Sequence, residues 1–177
     1  MIQEHPSLIF TDSTPGDLEI PSEPHFILAN HINSYRGAAS FVTIAATIQK
    51  PAQIVCYSTY NGMLFLSSTI HNILHGEIQI DIRLSKTEKE HLMIQEIQMA
   101  FDRGYNVVML IDAHRPRACM RTLNRVVLAR FPTYRKQLVQ LCEPVGVSEF
   151  RYRRFPATYD LDVIHQQRRE ILGLGRT

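Results

Sequence analysis

The sequence predicts an α/β fold, with a mostly parallel sheet covered by helices on both faces. Two observations carry that expectation. Short apolar runs of strand length alternate at least four times with longer stretches of helical periodicity. Several of those runs end abruptly in polar residues, as strands do when they deliver side chains to the edge of a sheet.

Residues 1–24 contain Pro6, Pro15, Pro21 and Pro24 among scattered acids. They read as an extended N-terminal arm with one short strand near Leu8–Phe10. From residue 25 to 177 the pattern is that of a single domain. Phe26–Ala29 is a buried strand that leads into Asn30-His31. The Ala- and Ile-rich stretch Gly37–Gln49 is a helix stopped by Pro51, and Ile54–Tyr57 a second strand. Asn61–Leu74 carries Met63, Leu66, Ile70 and Ile73 at helical spacing. In Glu77–Ile82, Ile78, Ile80 and Ile82 alternate with polar residues, the period of a strand. Thr87 followed by Glu90 has the form of a capping box. It opens a helix with Met93, Ile97 and Ala100 on one stripe, closed at Gly104. Val107–Ile111 is the clearest strand and ends at Asp112. A basic helix is expected over Met120–Arg130, a strand over Leu138–Cys142, and a terminal helix over Asp160–Leu172 with Asp160 near its N-cap.

The bulk numbers bound the function more loosely. The chain has 177 residues, 45% hydrophobic and 20% charged, with a net charge of +2. That balance names no partner, but its distribution is uneven. Residues 1–83 hold three Lys/Arg and seven Asp/Glu, and residues 84–177 hold sixteen and ten. Between Ala113 and Cys142 there are seven basic residues and no acid. Three widely spaced cysteines, Cys56, Cys119 and Cys142, suggest neither a disulfide framework nor a zinc cluster. A reducing compartment follows as the default. No signal pattern opens the chain, and no apolar run is long enough for a transmembrane helix. The expected location is cytoplasmic or an organellar interior, with peripheral membrane contact left open.

Candidate chemistry gathers where strands end. The clusters are Asn30-His31, Asp81 with Arg83, and Asp112-Ala113-His114-Arg115. A histidine there can act as a general base near neutral pH. Arginines there can hold a phosphate through forked hydrogen bonds. Read singly, such residues are as well explained by structural hydrogen bonds and surface ion pairs. His71 and His75 are four apart, but the metalloprotease glutamate is missing between them, and surface histidines explain the spacing better. No metal is expected. Arg117, Arg121 and Arg125 recur every four residues and line one helical face. That face is either simply solvated or meets an anionic membrane surface, a protein or RNA. Arg151 to Arg154, interrupted by Tyr152, form a second basic cluster. The apolar run Met63 to Leu66 is more readily core than acyl pocket.

The order of these pieces adds a resemblance. The run from His25 to Arg117, about half the chain, resembles the glycerol-3-phosphate and 1-acylglycerol-3-phosphate acyltransferase family. Ala29-Asn30-His31 and the four residues after it follow the family's His-x4-Asp block, with Arg36 at the Asp position. Gly76-Glu77-Ile78-Gln79-Ile80-Asp81 follows its Gly-x-Ile-x-Ile-Asp-Arg block, with Ile82 inserted before Arg83. Ile111-Asp112-Ala113-His114-Arg115 stands where the family has Pro-Glu-Gly-Thr-Arg, and Arg115 is retained. The resemblance implies a glycerolipid acyltransferase-like fold. It implies acyl transfer from acyl-CoA or acyl carrier protein to a hydroxyl of glycerol phosphate or a lysophospholipid. His31 would be the base, Arg83 and Arg115 the phosphate ligands, and no cofactor would be permanently bound. Family members commonly carry membrane-embedding segments before the Asn-His pair. Only 29 residues precede it here, so an independent membrane anchor is not expected.

Arg36 changes the expected chemistry. A guanidinium has donors only and cannot accept the histidine N–H. A carboxylate from elsewhere must then orient His31, and Asp112 and Asp81 are the candidates. The alternative is a catalytically inactive acyltransferase-like module. It would serve as scaffold or assembly subunit, using the basic region 115–136 to contact RNA, protein or membrane.

Overall fold

A computed structural model describes residues 9–31, 52–58, 63–66, 85–112, 116–144 and 149–171. Within them the chain is α/β. Seven strands form one mixed sheet: β1 (Ile9–Asp12), β2 (Phe26–His31), β3 (Ala52–Ser58), β4 (Met63–Leu66), β5 (Asn106–Asp112), β6 (Lys136–Pro144) and β7 (Glu149–Arg154). Their spatial order is β1-β7-β6-β2-β5-β3-β4. The pairs β1/β7, β6/β2, β2/β5 and β5/β3 are parallel, whereas β6/β7 and β3/β4 are antiparallel. The strand within the arm is therefore an edge strand of the same sheet.

The three central strands are near-continuous apolar runs because they are buried on both faces. Phe26, Leu28, Val107, Met109 and Leu138 face one side and join one core cluster. The alternating residues Ile27, Ala29, Val108 and Val139 are equally buried on the other.

Three helices contribute to that core cluster, together with Val127, Leu128, Phe131 and Phe155: α1 (Lys86–Asp102), α2 (Pro116–Val126) and α3 (Leu161–Ile171). They therefore share one face of the sheet. Helix α1 contributes Met93, Ile97, Ala100 and Phe101, so its expected stripe is the buried one. Its N-cap is Ser85, two residues before the expected Thr87. Ser85 Oγ accepts from the Glu88 N–H at 3.3 Å, and Glu88 Oε2 accepts from the Ser85 N–H at 2.7 Å. The serine satisfies an amide that Thr87, already inside the first turn, would leave unpaired. The helix stops at Gly104, whose φ of +78° lets Gly104 and Tyr105 donate back to the Phe101 and Ala100 carbonyls. Helix α2 begins at Pro116, earlier than expected, because proline suits the first helical position. It ends at Val126, and a separate 3-10 turn spans Leu128–Arg130. Asp160 caps α3 by accepting from the Asp162 N–H at 2.8 Å.

One expected element is reversed. Met63–Leu66 is a strand, pairing antiparallel with β3 from Ser58↔Met63 to Val55↔Leu66, and not the start of a helix. Four consecutive apolar residues carry no period, so spacing could not separate the two states. The expected helix over 37–49 and strand over 77–82 lie outside the described residues.

Candidate functional site

Parallel pairing places the carboxyl ends of β2 and β5 at one rim of the sheet. The two strands run in register from Phe26↔Val107 to His31↔Asp112. Asn30 and His31 are therefore the last two residues of β2, within the ladder and not in the loop beyond it. Asn30 is the partner of Ile111, and His31 is the partner of Asp112. Residues 81 positions apart in sequence thus occupy neighbouring positions on adjacent strands, a spacing of about 4.7–4.9 Å between backbones. Register partners belong to the same face of a sheet. His31 and Asp112 are thus the last register pair of the two strands.

A further polar residue ends the neighbouring strand. Strands β3 and β5 are parallel from Ala52↔Asn106 to Val55↔Met109. Beyond that register β3 continues to Ser58, where it pairs with Met63 of β4. Sequence reasoning passed over Ser58, although it is the first polar residue after the apolar run Ile54–Tyr57. The rule that selected Asn30-His31 would have selected it as well.

Of the other expected site residues, Arg83, Arg115, Asp81 and His114 lie outside the described residues, as does Arg36. Arg117 falls in the first turn of α2. On the same helix Arg121 and Arg125 are exposed, while Met120, Leu123 and Val126 are buried. The arginine spacing and the core stripe thus divide α2 into a basic outer face and an apolar inner one. The cluster from Arg151 to Arg154 is not one solvated patch. It lies on β7, where Tyr152 and Arg154 are buried and Arg153 is exposed. Arg153 and Arg154 lie over the rings of Phe155 and Tyr152, at 5.0 and 5.9 Å from their centroids.

Among the described residues, no three His, Cys, Asp or Glu side chains converge as metal ligands do, and no helix is long and apolar enough to cross a membrane. Comparison with protein-family models, curated proteins and solved structures gave no match. The functional reading therefore rests on the motifs and on the register at the rim.

Proposed function

We propose that the chain is an acyltransferase-like protein that moves an acyl group from acyl-CoA or acyl carrier protein to a hydroxyl of glycerol phosphate or a lysophospholipid. The observation that carries this reading is the register pairing of His31 with Asp112. The replacement of the motif's Asp by Arg36 leaves the imidazole needing an acceptor from elsewhere. Asp112 is the residue that adjacent strand pairing brings level with it.

In this reading the Asp112 carboxylate accepts the N–H of the His31 ring and stabilises the imidazolium that forms. The other ring nitrogen takes the proton of the substrate hydroxyl. The oxygen attacks the thioester carbonyl, and a C–O bond forms as the tetrahedral intermediate develops. Collapse breaks the C–S bond, and the departing thiolate takes the proton back from His31. Arg83 and Arg115 hold the substrate phosphate through charge-assisted hydrogen bonds.

The test is acyl transfer from acyl-CoA to lysophosphatidic acid by the unaltered protein, His31→Ala and Asp112→Asn, each first shown to be folded. His31→Ala should abolish turnover. Asp112→Asn should lower it by about 10³–10⁴, the scale seen when an orienting carboxylate is lost from a triad. Equal turnover by all three proteins would remove the enzymatic reading. One specific feature, the replacement of the motif's Asp by Arg36, favours a second reading, because a cation placed near His31 would oppose the imidazolium. That reading is an inactive module working as scaffold or assembly subunit through its basic region. Turnover absent even from the unaltered protein would select it.

A further inference from the structure

The arm that carries β1 buries little of itself. Of residues 11–24 only Pro21 is buried, and Thr14, Leu18 and Pro24 are half-buried. None of these residues joins the core cluster. Between Pro15, Asp17 and Glu19 on one side and Arg135, Arg153 and Pro156 on the other lies a cavity of about 320 Å³. That stretch of the arm stands off the sheet and forgoes the contacts that close packing would give it.

Two sets of polar contacts fix the arm. Strand β1 pairs parallel with β7 from Ile9↔Glu149 to Asp12↔Tyr152. Ser13 extends that ladder, donating to the Tyr152 carbonyl from its N–H and its Oγ, each at 2.9 Å. The Arg154 N–H donates to Thr14 Oγ1, also at 2.9 Å. Further along, Arg135 Nε donates to Glu23 Oε1 at 2.7 Å, and Arg135 Nη2 lies 3.6 Å from Glu19. Residues 9–24 hold four acids and no base, so the arm meets Arg135 with complementary charge. Pro21 and Pro24 form the junction with β2. Each fixes its own φ and keeps the residue before it extended, so an arm lifted from the sheet stays extended. A strand ladder and a few ion pairs are the same contacts whichever copy of the chain supplies the arm.

We propose that the edge of β7, with Arg135 beside it, is a docking site for the arm of a second copy of this chain, so that two copies exchange residues 9–24 reciprocally. Exchange keeps the β7 edge paired, whereas a lifted arm alone would leave it bare. In dilute solution the chain's own arm wins, because the tether holds it at high effective concentration, and exchange grows as the protein is concentrated. The site is independent of the acyl-transfer reading, since it uses no residue of the His31–Asp112 rim.

The test is a charge exchange between two full-length variants, Arg135→Glu and the double variant Glu19→Arg/Glu23→Arg. In each alone, the chain's own arm faces like charge. In a mixture, reciprocal exchange sets every reversed arm against a reversed acceptor. Light scattering on a sizing column should show a 1:1 species of twice the mass. Its share should exceed the dimer share of either variant alone by about tenfold or more, since several exposed ion contacts change sign at once. At 1 M salt, where the screening length is about 3 Å, that excess should vanish. The three substitutions combined in one chain should restore the melting temperature and the monomer-to-dimer ratio of the unaltered protein. Arg121→Glu, which reverses an exposed charge on α2 instead, should form no such species with the double variant. A mixture that stays monomeric while the combined variant recovers its melting temperature would overturn the proposal. So would an equal yield of the double-mass species with Arg121→Glu.

Discussion

Replacing Phe26 by alanine should cost about 4 kcal/mol of stability, within the ~3–5 kcal/mol typical of buried Phe→Ala changes. Phe26 is fully buried, so the burial of its side chain alone is worth roughly 1.5–3 kcal/mol. Its ring meets Phe101 edge-on at 4.9 Å, and Phe131 and Tyr134 at 5.9 and 6.5 Å. Such pairs add about 0.5–1.5 kcal/mol beyond area. The cavity left behind would not collapse easily, because Phe101 is itself stacked on Tyr134 at 3.8 Å and 9°. A domain of ordinary stability holds only about 5–15 kcal/mol, so Phe26→Leu, with an expected loss near ~1.5 kcal/mol, provides a milder companion. Urea unfolding measures both through the midpoint, and a double-mutant cycle with Phe101→Ala should return a coupling of about 0.5–1.5 kcal/mol. A loss below about 1.5 kcal/mol for Phe26→Ala, or a coupling of zero, would refute the claim that this aromatic group anchors β2 to the helical layer.

Three further outcomes follow from the same structure. Burial holds the pKa of His25 below its usual value; the Glu23 carbonyl and carboxylate oppose it in part, and the charges of Arg135 and Arg154 add a little in the same direction as burial. The unfolded chain therefore takes up this proton first, so stability should fall as pH drops below about 6.5 and on toward the folded pKa. Urea midpoints at successive pH values should show that slope, and His25→Gln should flatten it. Glu23, whose pKa is lowered by hydrogen bonds from backbone and from Arg135, acts in a separate window, losing its contribution as pH falls below its ordinary value of 4.5. Ser85→Ala should cost about 1 kcal/mol through the lost cap, whereas Thr87→Ala should change little; similar losses for the two would show that the cap is misassigned.

Legibility in the sequence followed the amount of periodic signal. Helix α1 was readable because Met93, Ile97 and Ala100 repeat at helical spacing and are the residues that reach the core. Strands β2 and β5 were readable as short apolar runs cut off by polar residues. Strand β4 was not, because Met63–Leu66 is apolar at every position and only its pairing with β3 decides its state. Strand β7 was hidden for a different reason. Its arginines read as a basic cluster and not as a strand, yet Arg154 is buried and Phe150 pairs with β1 and β6. Burial of a guanidinium is a tertiary fact that no local pattern records. At the rim, sequence supplied both His31 and Asp112 as candidates, but not their adjacency, since register between strands 81 residues apart is set by the whole sheet.

The sheet also separates its two polar ends physically. From Phe26 to His31 the five residue steps of β2 span roughly 17 Å at about 3.3 Å per residue. That exceeds the Debye length of about 8 Å at physiological ionic strength, so exposed charges at one end act weakly on the other. Between them on β2 lie Phe26, Ile27, Leu28 and Ala29, all apolar and fully buried. Substitutions around His25 and Arg135 should therefore reach the His31–Asp112 rim only by shifting the strand as a body. The packing of Phe26 against α1 resists that motion. Electrostatic effects measured at one end thus belong to that end, so a change in rim chemistry after a substitution near His25 would report movement of the strand and not a field effect.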